Sequence, residues 1–251
     1  MSTEFTGRVI VITGATAGIG RACAEYFAAR GAHVAAIGRS AIPSFSAGVT
    51  IYPADVTDQD ALTTVMNQIG EAHGVIDVLV NNAGVSFVGD IEAGSLDEWT
   101  NLWDVNVLGY VRATRAALPH LRKSTSAAII NMSSCTADSG LRQRALYSAT
   151  KGAIEAMTRA EAADLVAENI TVNAVSPGTV DTPFMAELAS RADDPEARRN
   201  DFDSRQPTGR MVTPEEVAHA VAYLASPTNR SSIGTVITID GGIAGLHLTD
   251  A

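Results

Sequence analysis

The chain has 251 residues, enough for one α/β domain, and its 46% apolar and 18% charged residues describe a globular protein with a large core. The formal net charge of −10 argues against a nucleic-acid-binding protein, which would carry a basic patch, and gives no support to attachment at an anionic membrane. Two cysteines, Cys23 and Cys135, form neither a disulfide framework nor a metal-ligand spacing, and the five histidines are scattered, so no metal is expected.

Met1 to Thr6 is short and polar, and no apolar run approaches the ~20 residues of a membrane span, so the chain reads as soluble and cytoplasmic. The apolar, β-branched run Val9-Ile10-Val11-Ile12 predicts a parallel strand buried on both faces. It leads into Thr13-Gly14-Ala15-Thr16-Ala17-Gly18-Ile19-Gly20 and then a helix stopped at Gly31. Strand, glycine turn and helix N-terminus in that order form a phosphate-binding arrangement. Glycines admit the backbone to a pyrophosphate, and the helix N–H groups favour its charge.

The second strand, Val34 to Ile37, ends at Gly38-Arg39-Ser40. An acidic residue near this strand end reads the ribose 2′-hydroxyl of NAD, whereas an arginine accommodates the 2′-phosphate of NADP. Gly38 stands where the acid is expected and Arg39 follows, which favours NADP. The connection from Ala41 to Gly48 is too short and Pro-interrupted for a full helix. A third strand at Val49 to Tyr52 leads to Asp55-Val56. Asp55 is either an adenine contact or the cap of a helix running from about Thr57 to His73. A fourth strand, Val75 to Val80, ends in Asn81-Asn82-Ala83-Gly84, a polar turn at the carboxyl end of a buried strand, where ligands bind in open α/β sheets.

Ser95 to Arg122 predicts one long helix capped by Ser95. Asn106 lies within it among Trp103, Val105, Val107 and Leu108. It is either a satisfied core amide or the site of a bend that holds a catalytic water. The fifth strand, Ala127 to Met132, brings Ser134 to its end. A helix opening at Tyr147-Ser148-Ala149-Thr150-Lys151 runs to about Asn169. Residues four apart share a helix face, so Tyr147 and Lys151 point the same way. A free phenol has a pKa of about 10, and a nearby ammonium should lower it toward a usable general acid/base. The Ser134 hydroxyl can hold a substrate oxygen against the phenol. In the same helix Gly152, Ala156, Ala160 and Ala163 recur at helical spacing, which suits either a subunit interface or internal packing.

A sixth strand, Ile170 to Val175, is followed by Ser176 to Phe184 and by an arginine-rich segment, with a substrate loop expected over about 183–210. Thr213-Pro214-Glu215-Glu216 opens the last helix with a cap, proline at the first helical position and acids in the first turn. A seventh strand at Thr235 to Ile239 closes at Asp240-Gly241-Gly242. Strands and helices alternate throughout. The predicted architecture is therefore a single-domain Rossmann fold over residues 1–251, a doubly wound parallel seven-stranded sheet with helices on both faces.

These motifs together resemble the short-chain dehydrogenase/reductases over nearly the full chain. The resemblance rests on TGATAGIG at 13–20, NNAG at 81–84, Asn106, Ser134, YSATK at 147–151, PGTVDT at 177–182 and IDGG at 239–242. It implies an NAD(P)-dependent oxidoreductase that exchanges a hydride between nicotinamide and a secondary alcohol or ketone. Catalysis would rest on Asn106 holding a relay water, Ser134 orienting the substrate oxygen, Tyr147 as acid/base and Lys151 on the nicotinamide ribose. The cofactor would be bound by Gly14, Ala17, Gly18, Ile19, Gly20, Arg39, Ser40, Asp55, Val56, Asn82, Ala83, Gly84, Tyr147, Lys151, Pro177, Gly178, Val180 and Thr182. The family also implies a homotetramer. Within it, the chain is similar to the branch containing cytosolic 3-hydroxybutyrate dehydrogenase and 2-keto-3-deoxy-L-fuconate dehydrogenase. Three features carry that likeness: the shortened connection at 41–48, Arg144 before Tyr147, and Arg205-Gln206 in the loop. The branch implies a hydroxy or keto acid substrate held by Ser134, Arg144, Tyr147 and Arg205, because a guanidinium matches a carboxylate bidentately. It also suggests NAD, against the Gly38-Arg39 reading, and an arginine early in the loop where this chain has Leu188. Rival readings are a dehydrogenase of a neutral sugar, alcohol or ketone, a dinucleotide sensor without chemistry, and a Rossmann methyltransferase, which would not need the Tyr/Lys pair.

Overall fold

The computed structural model describes residues 4–39 and 45–247. Ser40, one of the expected cofactor contacts, and residues 41–44 of the 41–48 connection lie outside them. Seven parallel strands are ordered 3-2-1-4-5-6-7. They are β1 (Val9–Thr13), β2 (His33–Gly38), β3 (Val49–Pro53), β4 (Val78–Asn81), β5 (Ala127–Met132), β6 (Ile170–Pro177) and β7 (Val236–Ile239). Strands β1, β4, β5 and β6 are buried along their whole length. Their near-continuous Val, Ile and Ala runs follow from that, because helices cover both faces of the sheet.

The helices are α1 (Gly18–Ala28), α2 (Gln59–His73), α3 (Leu96–Trp103), α4 (Gly109–Leu121), α5 (Ala145–Leu165), α6 (Pro183–Ser190), α7 (Pro195–Ser204) and α8 (Pro214–Ala225). One core lies between the sheet and α1 with α8, around Ile10, Phe27, Val80, Val175 and Val221. The other packs α2, α4 and α5 against the opposite face, around Val11, Leu62, Ile69, Leu79 and Ile129. The strand order reverses between β1 and β4, so their carboxyl ends open into a crevice, the place where ligands bind in open α/β sheets.

Two expectations change and two open readings are narrowed. The predicted long helix over 95–122 is instead α3, a π-helical turn at Asp104–Leu108, and α4. The helix is interrupted where the Asn106 amide binds the chain next to it, and π-turns of this kind concentrate at functional sites. Asp58, not Asp55, caps α2, its carboxylate accepting from the N–H groups of Asp60 and Ala61. The 183–210 segment is no open loop; it folds into α6 and α7, capped by Thr182 and Asp194. Finally, Ala156, Ala160 and Ala163 are exposed and Gly152 partly so, so the small-residue stripe faces outward rather than packing inside. The cap predicted at Thr213 is present, and Glu216 completes it as a capping box.

Candidate active site

Glycines set the crevice floor. A Cβ on Gly14 would come within 2.7 Å of Ala83 Cα, and one on Gly20 within 2.3 Å of the Gly14 carbonyl. No other residue fits either place, and Gly14 also adopts φ +65°. The carboxyl ends of β1 and β4 are tied together across this gap. The Thr13 hydroxyl accepts from the N–H groups of Asn82 and Ala83, and the Asn82 amide donates to the carbonyls of Thr13 and Gly14. Helix α1 begins here with Ala17 at its cap position, no side chain satisfying its N–H groups and no acid in its first turn. Those donors face a cavity of about 370 Å³, and an uncapped helix N-terminus behind a glycine turn fits a pyrophosphate.

Of the expected cofactor residues, Gly14, Ala17, Gly18, Ile19, Arg39, Asp55, Val56, Asn82, Ala83, Gly84 and Thr182 line that cavity. Gly20 does not line it and shapes the turn from behind. Asp55 accepts from the N–H and hydroxyl of Thr57, each at 2.9 Å, and lies 3.9 Å from the Arg39 guanidinium. Hydrogen bonds from Thr57, more than the charge of Arg39, hold the Asp55 carboxyl below its ordinary pKa.

A second cavity, of about 580 Å³, continues past Asn82 and Thr182. Ser134, Arg144, Tyr147, Lys151, Pro177, Gly178, Val180 and Arg205 all line it. Ser134 sits just beyond β5, extended and capping a short 3₁₀ turn through the Thr136 N–H. Lys151, one turn along α5 from Tyr147, is buried; its ammonium donates to the Met132 carbonyl at 2.8 Å and lies 5.7 Å from the centre of the Tyr147 ring. Met132 O also accepts from the Tyr110 hydroxyl at 3.2 Å. The same-face prediction for the pair therefore holds. The predicted depression of the phenol does not. Crowding of its hydroxyl end by protein pushes Tyr147 up to about 12, and the Ser134 hydroxyl only partly opposes this. Burial also pulls Lys151 down to about 8.

Asn106 is fully buried, yet it is not on a cavity wall. Its amide accepts from Val85 N–H at 2.8 Å and donates to Val85 C=O at 2.9 Å and to the Thr150 hydroxyl at 3.2 Å. It thus pins the strand-end turn after Gly84 to the Tyr147 helix.

Arg144 and Arg205 belong to the wall of the second cavity. Gln143 takes a left-handed φ of 58° and its carbonyl accepts from Gly89 N–H at 2.9 Å. This fixes Arg144 at the start of α5, where its guanidinium donates to Phe87 C=O at 2.9 Å. The Arg205 guanidinium lies 4.8 Å from the Phe202 ring centre, and so does that of Arg198. Burial, more than any neighbouring charge, lowers the pKa of Arg144 and Arg205, and the Arg198 charge adds to it at both. Among the described residues neither forms an ion pair. Leu188 packs with Met185, Phe202 and Met211, so the third cation expected there is replaced by an apolar contact.

Residue-type reasoning missed Thr13, Thr16, Thr150 and Arg198. The threonines sat inside or beside motifs already noted but looked like spacers, and Arg198 was one of several loop arginines until α7 set its place. Among the described residues, no group of three or more His, Cys, Asp or Glu side chains can hold a metal, and no helix is long and apolar enough to cross a membrane.

Comparison with known proteins agrees with this geometry. A family model described as enoyl-(acyl carrier protein) reductase matches residues 14–244. L-fucose dehydrogenase of Mus musculus is 38% identical over 246 residues, covering 96% of this chain and 89% of that protein. Cis-4-hydroxycyclohexanecarboxylate dehydrogenase of Sinomonas cyclohexanicum is 35% identical over 252 residues, covering 96% and 98%. The solved structure of ElxO with NADP bound superimposes with a TM-score of 0.87 at 29% identity, covering 95% of this chain and 99% of that one. With the doubly wound sheet, the dinucleotide crevice and the full-length likeness to named dehydrogenases, the chain belongs to the short-chain dehydrogenase/reductase family of oxidoreductases.

Proposed function

We propose that this oxidoreductase interconverts a hydroxy acid and a keto acid, small or sugar-derived, with NADP(H) as its dinucleotide. The observation that carries the substrate class is the pair Arg144 and Arg205. Both line the cavity that holds Ser134 and Tyr147, and neither has a carboxylate partner among the described residues. Two guanidiniums with no salt-bridged acid in a partly desolvated cavity suit a carboxylate, and burial strengthens a charge-assisted hydrogen bond made there. The name of the cis-4-hydroxycyclohexanecarboxylate relative points the same way.

When bound, the nicotinamide supplies hydride exchange. The chain supplies the rest. The turn at Gly14–Gly20 and the N-terminus of α1 hold the pyrophosphate, Asp55 and Val56 the adenine side, and Asn82, Ala83, Gly84, Pro177, Gly178, Val180 and Thr182 the path to the second cavity. Arg39 meets the adenosine 2′ side, which favours NADP, in keeping with ElxO. Ser134 holds the substrate oxygen, and Tyr147 gives or takes its proton. Lys151, fixed on Met132 C=O, binds the nicotinamide ribose and presents positive charge beside the phenol. Asn106 acts through Val85 and Thr150 to keep the two sides of the site in register.

A second reading is a neutral sugar or secondary alcohol. It is favoured by Leu188 in place of a third cation and by the L-fucose dehydrogenase relative. The test is a panel of hydroxy acids and neutral alcohols assayed with wild type and Arg144→Ala. On the acid reading, R144A raises KM about tenfold or more for acids and leaves neutral alcohols within about twofold. Equal losses on both classes would reject the carboxylate role. We also propose a cytoplasmic homotetramer. The exposed stripe of Gly152, Ala156, Ala160 and Ala163 supports close approach of a second copy, and light scattering would give the mass.

A further inference from the structure

The rim of the first cavity carries a constraint that the glycine turn does not explain. Gly38 ends β2 with an ordinary backbone conformation, so its φ does not call for glycine. Space does. A Cβ at Gly38 would lie 2.3 Å from Thr16 Cγ2 and 3.6 Å from Thr16 Cβ. The backbone of Gly38 has little room to retreat. Its carbonyl accepts from Ala54 N–H at 3.2 Å, and the carbonyl of Ile37 accepts from Ala15 N–H at 3.2 Å. Thr16 is β-branched and therefore stiff at χ1. Its hydroxyl has no hydrogen-bond partner among the described residues and borders the cavity beside Arg39. The Arg39 side chain is 71% exposed and only loosely held by Asp55 at 3.9 Å.

Resting on the NADP reading above, we infer that Thr16 is a specificity-determining residue: its side chain occupies the space that an acidic side chain at position 38 would need. The carboxylate that would read a ribose diol is thereby shut out. The adenosine 2′ side is left to the Arg39 guanidinium and the Thr16 hydroxyl, a cation and a donor suited to a 2′-phosphate. An acid at position 38 can then serve NAD only after Thr16 is cut back. Alanine suffices, because it removes Cγ2 and keeps a Cβ at ordinary contact distance.

Equilibrium binding of NADPH and NADH, followed by cofactor fluorescence, tests this without turnover. Wild type, Thr16→Ala, Gly38→Asp and the double variant form a cycle. Wild type should bind NADPH about tenfold or more tighter than NADH. G38D should weaken NADPH and fail to gain NADH. The double variant should bind NADH about tenfold tighter than G38D does, a non-additive gain. T16A alone should lose a few-fold in NADPH affinity as its hydroxyl goes. If wild type prefers NADPH but G38D alone binds NADH as tightly as the double variant, Thr16 excludes nothing and the inference falls. If wild type binds NADH as tightly as NADPH, the NADP reading falls and takes the inference with it. Should G38D fail to fold, Gly38→Ala carries the Cβ alone. It should lower Tm and NADPH affinity, and adding T16A should restore Tm and bring NADPH affinity to that of T16A alone; an unaltered G38A would contradict the steric exclusion.

Discussion

At Lys151 the function is set against stability. Its ammonium is buried, with Met132 C=O as the hydrogen-bond acceptor, and burial lowers its pKa from 10.5 to about 8. Between those values the unfolded chain holds a proton that the folded chain does not, so stability rises with pH through the window. Below about pH 8 the full cost of burying the charge is carried. Lys151→Met should therefore stabilise the protein at pH 7, by up to about 3 kcal/mol less the lost hydrogen bond, while turnover collapses. Thermal unfolding from pH 7 to 10.5 checks this: the advantage of K151M should shrink as pH rises, and a difference that grows would contradict the assignment. The motifs name Ser134, Tyr147 and Lys151 together, and the fold brings all three to the wall of one cavity. The sequence reading fails on the phenol, because pairing Tyr with Lys counts the ammonium and not the desolvation that pushes Tyr147 to about 12.

The π-helical turn at Asp104–Leu108 shows what an element adds. Its one local mark is Asn106 among apolar neighbours, open to a core amide or a bend; no proline or glycine within the turn decides between them. The interruption comes from tertiary bonds of Asn106 to Val85 and Thr150, which are far away in sequence. Asn106→Ala would leave Val85 N–H and C=O without their side-chain partner, and should cost about 1–3 kcal/mol. Because the turn also aligns Gly84 with the Tyr147 helix, kcat should fall more than KM changes. Urea unfolding and steady-state kinetics test this together; a stable variant with full kcat would remove Asn106 from the site. By contrast α8 was legible to its first residue, since Thr213, Pro214 and Glu216 act within one turn. The helices α6 and α7 leave little trace in the sequence because their caps lie in a charged stretch whose apolar anchors, such as Phe202 and Met211, are few.

On the scale of the molecule, alternating apolar runs and glycine turns gave the doubly wound sheet, because parallel strands buried on both faces leave little freedom of composition. The strand order then places the Gly14 turn and the Asn82 turn at one crevice. The resemblance names Arg144 and Arg205 together, and the fold brings them to the second cavity from the start of α5 and from just after α7. The protein as a whole carries a charge of −10, so these arginines form a local positive site in a negative field. An anionic substrate must approach against the global charge, and added salt screens that repulsion over a Debye length of about 8–10 Å near physiological strength. At the same time salt weakens the contact itself, but less, since the guanidiniums are partly buried. KM for an acid substrate should therefore change by no more than about twofold from 50 to 300 mM salt. A steep rise in KM would place the arginine contacts at the open surface.

The most direct test of the central claim is Tyr147→Phe, with NADPH binding and turnover measured on the same preparation. Affinity for the dinucleotide should stay within about threefold of wild type, and turnover should fall by about 10²-fold or more. Retained turnover in that variant would contradict a dehydrogenase mechanism built on the Tyr147 phenol.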